Sequence, residues 1–292
     1  MNTANQQPAE FFGWLSATPS KELLVSLLVW LICVLGVLTL LEFLNPERVG
    51  RRGRLRHMLH NQMFTFSSVA VLVLVLQLPF SSQFESAYRF GLFHWIDVPA
   101  VIQLLLMFVL IDLFYYAMHR ASHHFMWLWR VHRTHHSDEQ VDATTTYRTH
   151  VIEFFWLFAG KISIAVVLGI NPVYTLTYDV LVGSLGAWYH SNVAISERVD
   201  RWLRSVFVTQ RWHLSHHSAN EHYTNQNYGT FFTVWDRLFA TARMAPDPSQ
   251  ITFGITQLDG KRWQTFTGLW LTPFRTPHYK SSDSSNPASR DA

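Results

Sequence analysis

Five apolar stretches divide this chain, and each is near the length of a membrane-spanning helix. They cover residues 23–44, 63–80, 98–118, 154–170 and 172–189. A helix that crosses the hydrocarbon core of a bilayer needs about 20 mostly apolar residues. The stretch 63–80 contains no charged residue, and the stretch 98–118 contains only Asp112. The pattern therefore predicts an all-α protein with four or five helices that cross or enter a membrane.

The last two stretches are joined by Asn171-Pro172, so we predict a helical hairpin there. Each arm carries a single charge, Lys161 on the first arm and Asp179 on the second, at broadly similar depth. Charged residues inside a membrane usually pair with one another, which makes a Lys161–Asp179 contact one hypothesis. The alternative is that each charge reaches separately towards a membrane surface.

The loop after the first stretch indicates the orientation. It reads NPERVGRRGRLRH and holds five arginines against one glutamate. Basic loops stay in the cytoplasm, so we predict a cytoplasmic loop and an N-terminus outside. Counting the later stretches forward returns the chain to the cytoplasmic side at His119 and again at His190. We therefore expect all the histidine clusters on the cytoplasmic face of an integral multi-pass protein, which in a bacterium would lie in the inner membrane.

We predict three parts along the chain. Residues 1–92 hold the N-terminal membrane stretches and the basic loop, residues 93–245 hold the histidine clusters, and residues 246–292 form a C-terminal extension. The N-terminus lacks the basic start of a cleavable signal peptide. The stretch SERVDRWLRSVFVTQR predicts one basic amphipathic helix, lying either along the membrane interface or on an ordinary protein core. The polar, serine-rich tail from Thr276 onward is predicted to be disordered.

Composition supports the membrane assignment and narrows the chemistry. Charged residues make up 15% of the chain, against about 25% in a typical soluble domain. The single cysteine, Cys33, excludes an intramolecular disulfide and a cysteine-based metal site. The net charge of +3 with clustered arginines suits an anionic membrane surface, and we expect no nucleic-acid partner.

Histidine is concentrated in one part of the chain, with 12 of the 16 histidines between His119 and His222. His119 and His123 are four positions apart, and HRTHH at 132–136 and HLSHH at 213–217 repeat the form HxxHH. On a helix, positions i, i+3 and i+4 share one face, so their imidazoles can converge on an ion. Eight to ten nitrogen ligands are too many for one ion, which predicts two. Imidazole suits zinc, copper, iron and nickel, so the spacing does not choose the metal.

The third apolar stretch places polar groups beside the first histidines. Asp112, Tyr116, His119 and His123 follow a 4-3-4 spacing and share one helix face. We expect the Asp112 carboxylate to accept a hydrogen bond from an imidazole N–H and so fix its tautomer. The alternative is that Asp112 pairs with a neighbouring tyrosine or with the backbone.

Several runs together resemble one known family. DLFYYAMHRASHHFMWLWRVHRTHHS, TTTYRTHVIEFF, WYHSN, RWHLSHHS and NYGTFFTVWDRLFAT are similar, in order and spacing, to the fatty acid hydroxylase superfamily, also called the sterol desaturase family. The likeness covers roughly residues 105–241. It implies a multi-pass membrane helical bundle with a cytosolic histidine-rich metal-binding cap, two iron ions, and O2-dependent hydroxylation or desaturation of a lipid.

The resemblance also implies residue roles. The matched metal ligands are His119, His123, His132, His135, His136, His190, His213, His216 and His217. His150 and His222 are further candidate ligands. Residues expected to support ligands or contact substrate are Asp112, Tyr116, Arg148, Glu153 and Asn192. Arg148, His150 and Glu153 match an R-x-H-x-x-E pattern that could hold ligands or a lipid headgroup, the alternative being an Arg148–Glu153 ion pair of modest strength.

The sequence departs from the family pattern at three positions. Ala194 stands where some members have a second histidine four residues after the one matching His190. Ala240 replaces the usual glycine of WDRLFGT, and Asn225 stands where an aspartate is common before NYG. The first departure puts the ligand count near His190 in question.

The resemblance implies partners that the chain does not contain. No haem-binding or flavin-binding module is visible, so electrons would come from a separate donor such as cytochrome b5, ferredoxin or a similar reductase. Zinc can replace iron in the purified protein. A membrane protein that binds or transports metal is the alternative function, whereas a zinc protease is disfavoured because HExxH is absent.

Overall fold

The computed structural model describes residues 21–48, 53–76, 90–170, 174–245, 247, 250–255, 258 and 260–275. The α-helices in these ranges are α1 (Lys21–Leu44), α2 (Arg54–Leu76), α3 (Ala100–His124), α4 (Met126–His136), α5 (Val151–Leu168), α6 (Thr175–His190), α7 (Glu197–Leu203), α8 (Gln210–His216), α9 (Glu221–Thr224), α10 (Val234–Leu238) and α11 (Phe266–Leu271). Short 3-10 helices cover Leu92–His94, Ala143–Tyr147, Lys261–Gln264 and Thr272–Phe274. The described chain contains helices and isolated bridges but no extended strand, which confirms the predicted all-α class.

Three of these helices are long and apolar enough to cross a membrane: α1 over Val25–Leu44, α3 and α5. Leu28, Val29 and Trp30 on α1 are more than half exposed, as expected of side chains that face lipid. The other two predicted stretches are also helical, but α2 begins at Arg54 within the basic loop, and α6 has 16 residues. The end of the stretch at Phe80 lies outside the described residues. The protein is a membrane protein, and its number of spans stays a prediction.

The predicted hairpin corresponds to α5 and α6, although its turn at Asn171-Pro172 lies outside the described residues. Lys161 on α5 and Asp179 on α6 form an ion pair, so of the two alternatives the structure shows the contact between the arms. Gly169 ends α5 with a left-handed φ of 78°, which glycine adopts without steric cost. Gly91 packs so closely against Gly169 that a Cβ there would lie 2.1 Å from the Gly169 nitrogen.

A buried apolar core joins α3 to the hairpin. Met107 and Ile111 of α3 pack with Leu168 at the end of α5 and with Tyr178 of α6, and all four are buried. Rows of apolar side chains on one face of each helix produce this contact. Because α3, α5 and α6 also carry histidines or their partners, this core fixes the relative positions of the site residues.

The histidine-bearing cap begins where α3 leaves the apolar stretch. α3 continues six residues past the predicted end at Met118, and the chain turns at Phe125 into α4, which packs against α3. Glu42 at the end of α1 is fully buried and accepts hydrogen bonds from the backbone N–H groups of Ala143 (2.9 Å) and Asn192 (2.7 Å). These bonds attach α1 to the segments before α5 and after α6.

The single amphipathic helix predicted for residues 196–211 is wrong. The segment forms the short helix α7, then a turn in which Phe207 pairs with Phe232, and its last two residues begin α8. Arg204 ion-pairs with Asp200 on α7, and this contact draws the arginine side chain back towards its own helix. Contacts with the chain after residue 230 therefore override the helical periodicity. The tail from Thr276 lies outside the described residues.

Candidate metal centre

Nine imidazoles converge in two groups beside the ends of α3 and α6. The first group consists of His119, His123, His132, His136 and His216. The second group consists of His135, His190, His213 and His217. Within each group the candidate ligand atoms all lie within 4.8 Å of one another. The structure therefore brings together the nine histidines that the resemblance singles out, and it divides each HxxHH cluster between the two groups.

Backbone carbonyls orient two imidazoles of the first group. His119 Nδ1 lies 2.9 Å from the carbonyl oxygen of Tyr228, and His216 Nδ1 lies 2.7 Å from that of Gln226. A carbonyl oxygen only accepts, so each Nδ1 carries the proton and donates it. The lone pair of each ring is then on Nε2, the nitrogen that faces the group.

Side chains orient two more imidazoles of the first group. His132 Nδ1 donates to Glu153 Oε1 at 2.7 Å, and His123 Nδ1 lies 3.3 Å from Asn225 Oδ1. Asn225, at a position where the family resemblance led us to expect an aspartate, thus still supplies an oxygen acceptor for His123, although a neutral one. A carboxylate behind an imidazole fixes its tautomer and makes its free nitrogen more basic. Glu153, rather than Asp112, has this arrangement.

The free nitrogens of the first group are buried and unpaired. The Nε2 atoms of all five imidazoles have no hydrogen-bond partner in the described structure. Burying a polar atom without a partner is costly, typically about 1–3 kcal/mol each. Five such atoms facing one another are therefore costly unless an ion binds between them, and this donor set fits a metal ion.

The second group is arranged around His190. Its Nε2 lies 3.2 Å from Nε2 of His135, 3.1 Å from that of His217 and 3.0 Å from that of His213. His190 Nδ1 donates to the carbonyl of Gly186 at 2.8 Å, so its Nε2 has a free lone pair. A tetrahedral ion about 2.0–2.1 Å from each nitrogen would separate its ligands by about 3.4 Å. The four nitrogens are close to that separation, so this donor set also fits a metal ion.

Burial keeps these imidazoles neutral. Desolvation and neighbouring imidazoles hold the pKa values of His135 and His213 well below 6.5. Desolvation lowers the pKa of His216 to about 3. The same causes lower the pKa values of His136 and His217. A neutral imidazole is the form that binds a metal, so the groups need not lose protons before binding at neutral pH.

Two candidate ligands lie outside both groups. His150 caps the N-terminus of α5, where its Nδ1 accepts from the Ile152 backbone N–H at 3.3 Å, and its ring packs on Trp270. His222 is exposed on α9 and contacts Arg243. The four imidazoles of the second group assemble without either of them.

The expected hydrogen bond between Asp112 and an imidazole is wrong. Asp112 instead accepts from Tyr178 (3.0 Å), from Trp235 Nε1 (2.8 Å) and from the backbone N–H groups of Phe231 (3.1 Å) and Phe232 (3.3 Å). Seven residues separate Asp112 from the first histidine of α3, about 10 Å along the helix axis, which is beyond the reach of its short side chain. The tyrosine and backbone alternative is the one observed.

Tyr116 also lies apart from the imidazole nitrogens. Its hydroxyl shares a 2.9 Å hydrogen bond with Thr241, and its ring stacks on Phe239. The face of α3 that carries Asp112, Tyr116, His119 and His123 therefore points towards the cap along its whole length. Asp112 and Tyr116, however, bind residues after Tyr228 and do not bind the imidazoles.

Arg148 holds the C-terminal end of α4 by hydrogen bonds. It is fully buried, and it donates to the Thr134 carbonyl at 3.0 Å and to Ser137 Oγ at 2.7 Å. It stands 3.7 Å from Asp138. The alternative pairing of Arg148 with Glu153 is therefore wrong, because Arg148 pairs with Asp138 and Glu153 accepts from His132.

The segment after His190 connects to the end of α1. Asn192 accepts from the backbone N–H of Arg48 and donates to its carbonyl, both at 2.9 Å. The backbone of Ala194 exchanges hydrogen bonds with Asn45. Asn192 thus positions the end of α6 and touches no imidazole, and a histidine at position 194 is not needed to complete the second group.

A largely apolar cavity of about 350 Å³ opens from both histidine groups into the helical bundle. His119, His132, His135, His190 and His213 form one end. Val69, Leu72, Phe154, Leu157 and Val182 line the walls. The volume and the apolar lining are typical of a site for a small lipid-like molecule.

Sequence reasoning missed the carbonyls that orient the imidazoles, and it missed the cavity. The carbonyl of Tyr228 belongs to the NYG run, so this run was the one sequence feature that pointed to the segment lying beside His119. Residue type does not reveal which main-chain oxygen faces which ring, and helical periodicity does not show that Lys161 and Asp179 line the same cavity as the histidines.

Comparisons with known proteins agree with this site. The model of the fatty acid hydroxylase family matches residues 104–241. Alkylglycerol monooxygenase of Danio rerio is 27% identical over 227 residues, covering 75% of this chain and 47% of that protein. Ornithine lipid hydroxylase OlsE of Rhizobium tropici is 32% identical over 192 residues, covering 65% and 56% of the two chains. Human cholesterol 25-hydroxylase is 28% identical over 174 residues, covering 54% and 62%.

The chain spans about half the length of the first two of these relatives. No solved structure matches it. The matched region begins within α3 and ends after α10, and it contains all nine converging histidines together with Glu153 and Asn225. Residues 104–241 of the chain therefore form a fatty acid hydroxylase domain.

Proposed function

We propose that this protein is a membrane-bound, O2-dependent lipid hydroxylase. The observation that carries the proposal is the placement of two groups of buried, neutral imidazoles at the end of an apolar cavity inside a helical bundle. A site built this way can hold two redox metals directly beside an alkyl chain. The matched relatives are named as hydroxylases or monooxygenases of alkylglycerol, ornithine lipid and cholesterol, which supports hydroxylation rather than desaturation.

Two iron ions are the proposed cofactors, one in each histidine group. Bound iron supplies the redox chemistry that activates O2, which amino-acid side chains cannot supply. Zinc is expected to occupy the same nitrogen ligands in purified protein, because imidazole suits both metals. His150 and His222 are not proposed as ligands, since both lie outside the groups.

The protein's own residues orient ligands and exclude water. Glu153 holds the ring of His132, and the carbonyls of Tyr228 and Gln226 hold those of His119 and His216. Apolar side chains of α5 and α6 form the cavity walls, so an alkyl chain can lie beside the imidazoles without bulk water. We propose that the lipid reaches this cavity laterally from the bilayer.

The proposed reaction converts one C–H bond of the lipid to C–OH. One oxygen atom of O2 enters the product and the other leaves as water, which consumes two electrons and two protons. A separate protein such as cytochrome b5, ferredoxin or a related reductase is proposed to supply the electrons. The basic loop and the resulting topology support a cytoplasmic position for the histidine groups, where a soluble donor can reach them.

Metal transport is the less favoured function. A transport path needs polar groups that continue through the membrane, whereas α1 is apolar and the cavity walls are largely apolar apart from Tyr147, Lys161 and Asp179. The cavity also ends at the imidazoles, as expected for a substrate site.

The test combines metal analysis with product analysis. Iron-loaded protein is expected to contain about two metals per chain and, with reductant, O2 and a lipid extract, to form a product that has gained one oxygen atom from labelled O2. His135→Ala should lower the metal content and abolish product formation. His222→Ala is the matched control and should change neither. Failure of the loaded protein to form any O2-dependent product across a broad lipid panel would contradict the proposal.

A further inference from the structure

The ion pair between α5 and α6 lies in the wall of the same cavity that the histidines close. Lys161 is buried, whereas the Asp179 side chain is 34% exposed, and both line the cavity. Asp179 precedes His190 by eleven residues on one continuous helix, which places it about 16 Å from that histidine along the axis. The cavity therefore has one end formed by the candidate metal ligands and a second polar site, formed by Lys161 and Asp179, deeper in the bundle.

Tyr147 adds a third polar group near the ion pair. Its hydroxyl is buried and has no hydrogen-bond partner among the described residues. It lies against Gly183, one helical turn from Asp179, where an added Cβ would be 2.7 Å from the hydroxyl oxygen. Glycine at this position makes room for the hydroxyl. Burial raises the pKa of Tyr147 and the negative charge of Asp179 raises it further, which agrees with their proximity and keeps the hydroxyl neutral.

The charge balance indicates what this place can bind. Lys161 and Asp179 neutralise each other, so an added carboxylate or ammonium would find no net opposite charge there to offset the cost of its burial. A saturated hydrocarbon would leave the Tyr147 hydroxyl without a partner in an apolar wall. A neutral hydroxyl group can donate to the carboxylate and, with its two lone pairs, accept from both the ammonium and Tyr147, so it can satisfy all three.

We propose that Tyr147, Lys161 and Asp179 form a specificity site for the neutral hydroxyl group of a lipid substrate. This inference rests on the proposed function, because it assigns the far end of the same substrate cavity. The helix spacings from Lys161 to Glu153 and from Asp179 to His190 place the hydroxyl about 12–16 Å from the carbon to be oxidised. The substrate class is thus an uncharged lipid with a hydroxyl group at that distance, as in an alcohol of that chain length or a sterol-like molecule.

Binding of three probes of equal chain length tests the proposal without turnover. Dodecanol, dodecane and dodecanoate are compared on the metal-loaded full-length protein in detergent, without reductant. The wild-type protein is expected to bind dodecanol about tenfold more tightly than either other probe, the effect of one or two well-placed hydrogen bonds. Equal binding of the three probes, or tighter binding of dodecanoate, would overturn the proposal.

Variants assign the preference to these side chains. Tyr147→Phe removes only the hydroxyl and leaves the ion pair in place, so it should reduce the dodecanol preference several-fold. The double variant Lys161→Met with Asp179→Leu should abolish that preference. Tyr223→Phe makes the same chemical change outside the cavity and should leave the preference as in wild type. Retention of the full preference in both Tyr147→Phe and the double variant would also overturn the proposal. Because no oxidation is measured, this result is independent of whether the protein hydroxylates any lipid.

Discussion

At the scale of single residues, partners of Nδ1 decide which nitrogen of each imidazole faces the site. In the first group two of these partners are the main-chain carbonyls of Tyr228 and Gln226, one is the carboxylate of Glu153 and one is the amide oxygen of Asn225. In the second group the carbonyl of Gly186 orients His190. A backbone carbonyl cannot be removed by substitution, whereas Glu153 can. Glu153 therefore offers the clearest test of ligand orientation.

We expect Glu153→Gln to weaken metal binding in the first group by about tenfold and Glu153→Ala by up to about a hundredfold, because loss of such a partner typically costs 10–100-fold. Glutamine retains an oxygen acceptor for His132 but loses the charge. Metal titration of the apoprotein measures the effect. Glu221→Gln, an exposed change on α9, should bind metal as wild type does. Unchanged affinity in Glu153→Ala would show that the hydrogen bond does not orient a ligand.

Ala240 has a strained backbone conformation. Its φ is 55°, in the left-handed region that costs an L-residue about 1–2 kcal/mol, whereas glycine adopts it freely. Glycine loses about 0.5–1 kcal/mol more conformational entropy on folding. Ala240→Gly should therefore stabilise the protein by about 0.5–1 kcal/mol.

Thermal unfolding in detergent measures this change. Ala219→Gly, which changes a residue of the same type after α8, serves as the control and should not stabilise the protein. A lower unfolding temperature for Ala240→Gly would contradict the strain argument.

At the scale of elements, the buried Asp112 joins α3 to α6 and to the chain around α10. Removing the carboxylate in Asp112→Ala leaves four donors without a partner, each costing about 1–3 kcal/mol. We expect a loss of at least about 3 kcal/mol in the free energy of unfolding. Asp112→Asn keeps one acceptor oxygen and should lose less.

Metal affinity separates this structural role from the one that the sequence suggested. Asp112→Asn should bind both metals as tightly as wild type at temperatures where it is folded, because Asp112 contacts no imidazole. A tenfold loss of affinity in the folded variant would instead support a hydrogen bond to a ligand.

The element boundaries also show which helices can be predicted from the pattern of apolar residues alone. The apolar stretches predicted α1, α3, α5 and α6 because burial in lipid depends on composition over about 20 residues. The segment at 196–211 failed because a short helix depends on its neighbours, and the pairing of Phe207 with Phe232 ends α7 before the pattern does. Helical periodicity specifies a face but not the length of a short helix.

At the scale of the whole molecule, the lowered pKa values of the imidazoles couple folding to pH. His135 and His213 have pKa values well below 6.5 when buried, and an unfolded histidine has a pKa of about 6.5. Below pH 6.5 the unfolded chain therefore binds more protons than the folded chain, so the stability of the apoprotein falls as the pH falls. His57, whose pKa is raised by Asp138 despite burial, acts in the opposite sense, as do Asp142 and Asp236, whose pKa values burial raises, but the five imidazoles with lowered pKa values outnumber them.

We expect the apoprotein to be most stable above about pH 6.5 and to lose stability progressively between about pH 6.5 and 4. Loaded protein should be more stable than apoprotein at pH 7, because ions that bind only the folded state stabilise it. Unfolding temperatures of chelator-treated and reloaded protein across this range check both statements. A constant apoprotein unfolding temperature from pH 7 to 4 would contradict the burial of neutral imidazoles.

The sequence by itself determined the helical membrane architecture and the three histidine-bearing turns, and it suggested the contact between Lys161 and Asp179 as one of two alternatives. Each follows from local geometry or from the cost of charge in lipid, which act within one helix or one hairpin. Only the tertiary structure decided that each HxxHH cluster serves both histidine groups, that Glu153 rather than Asp112 supports a ligand, and that the ion pair shares a cavity with the imidazoles. These facts depend on which distant segments pack together, and helical periodicity contains no information about distances between helices.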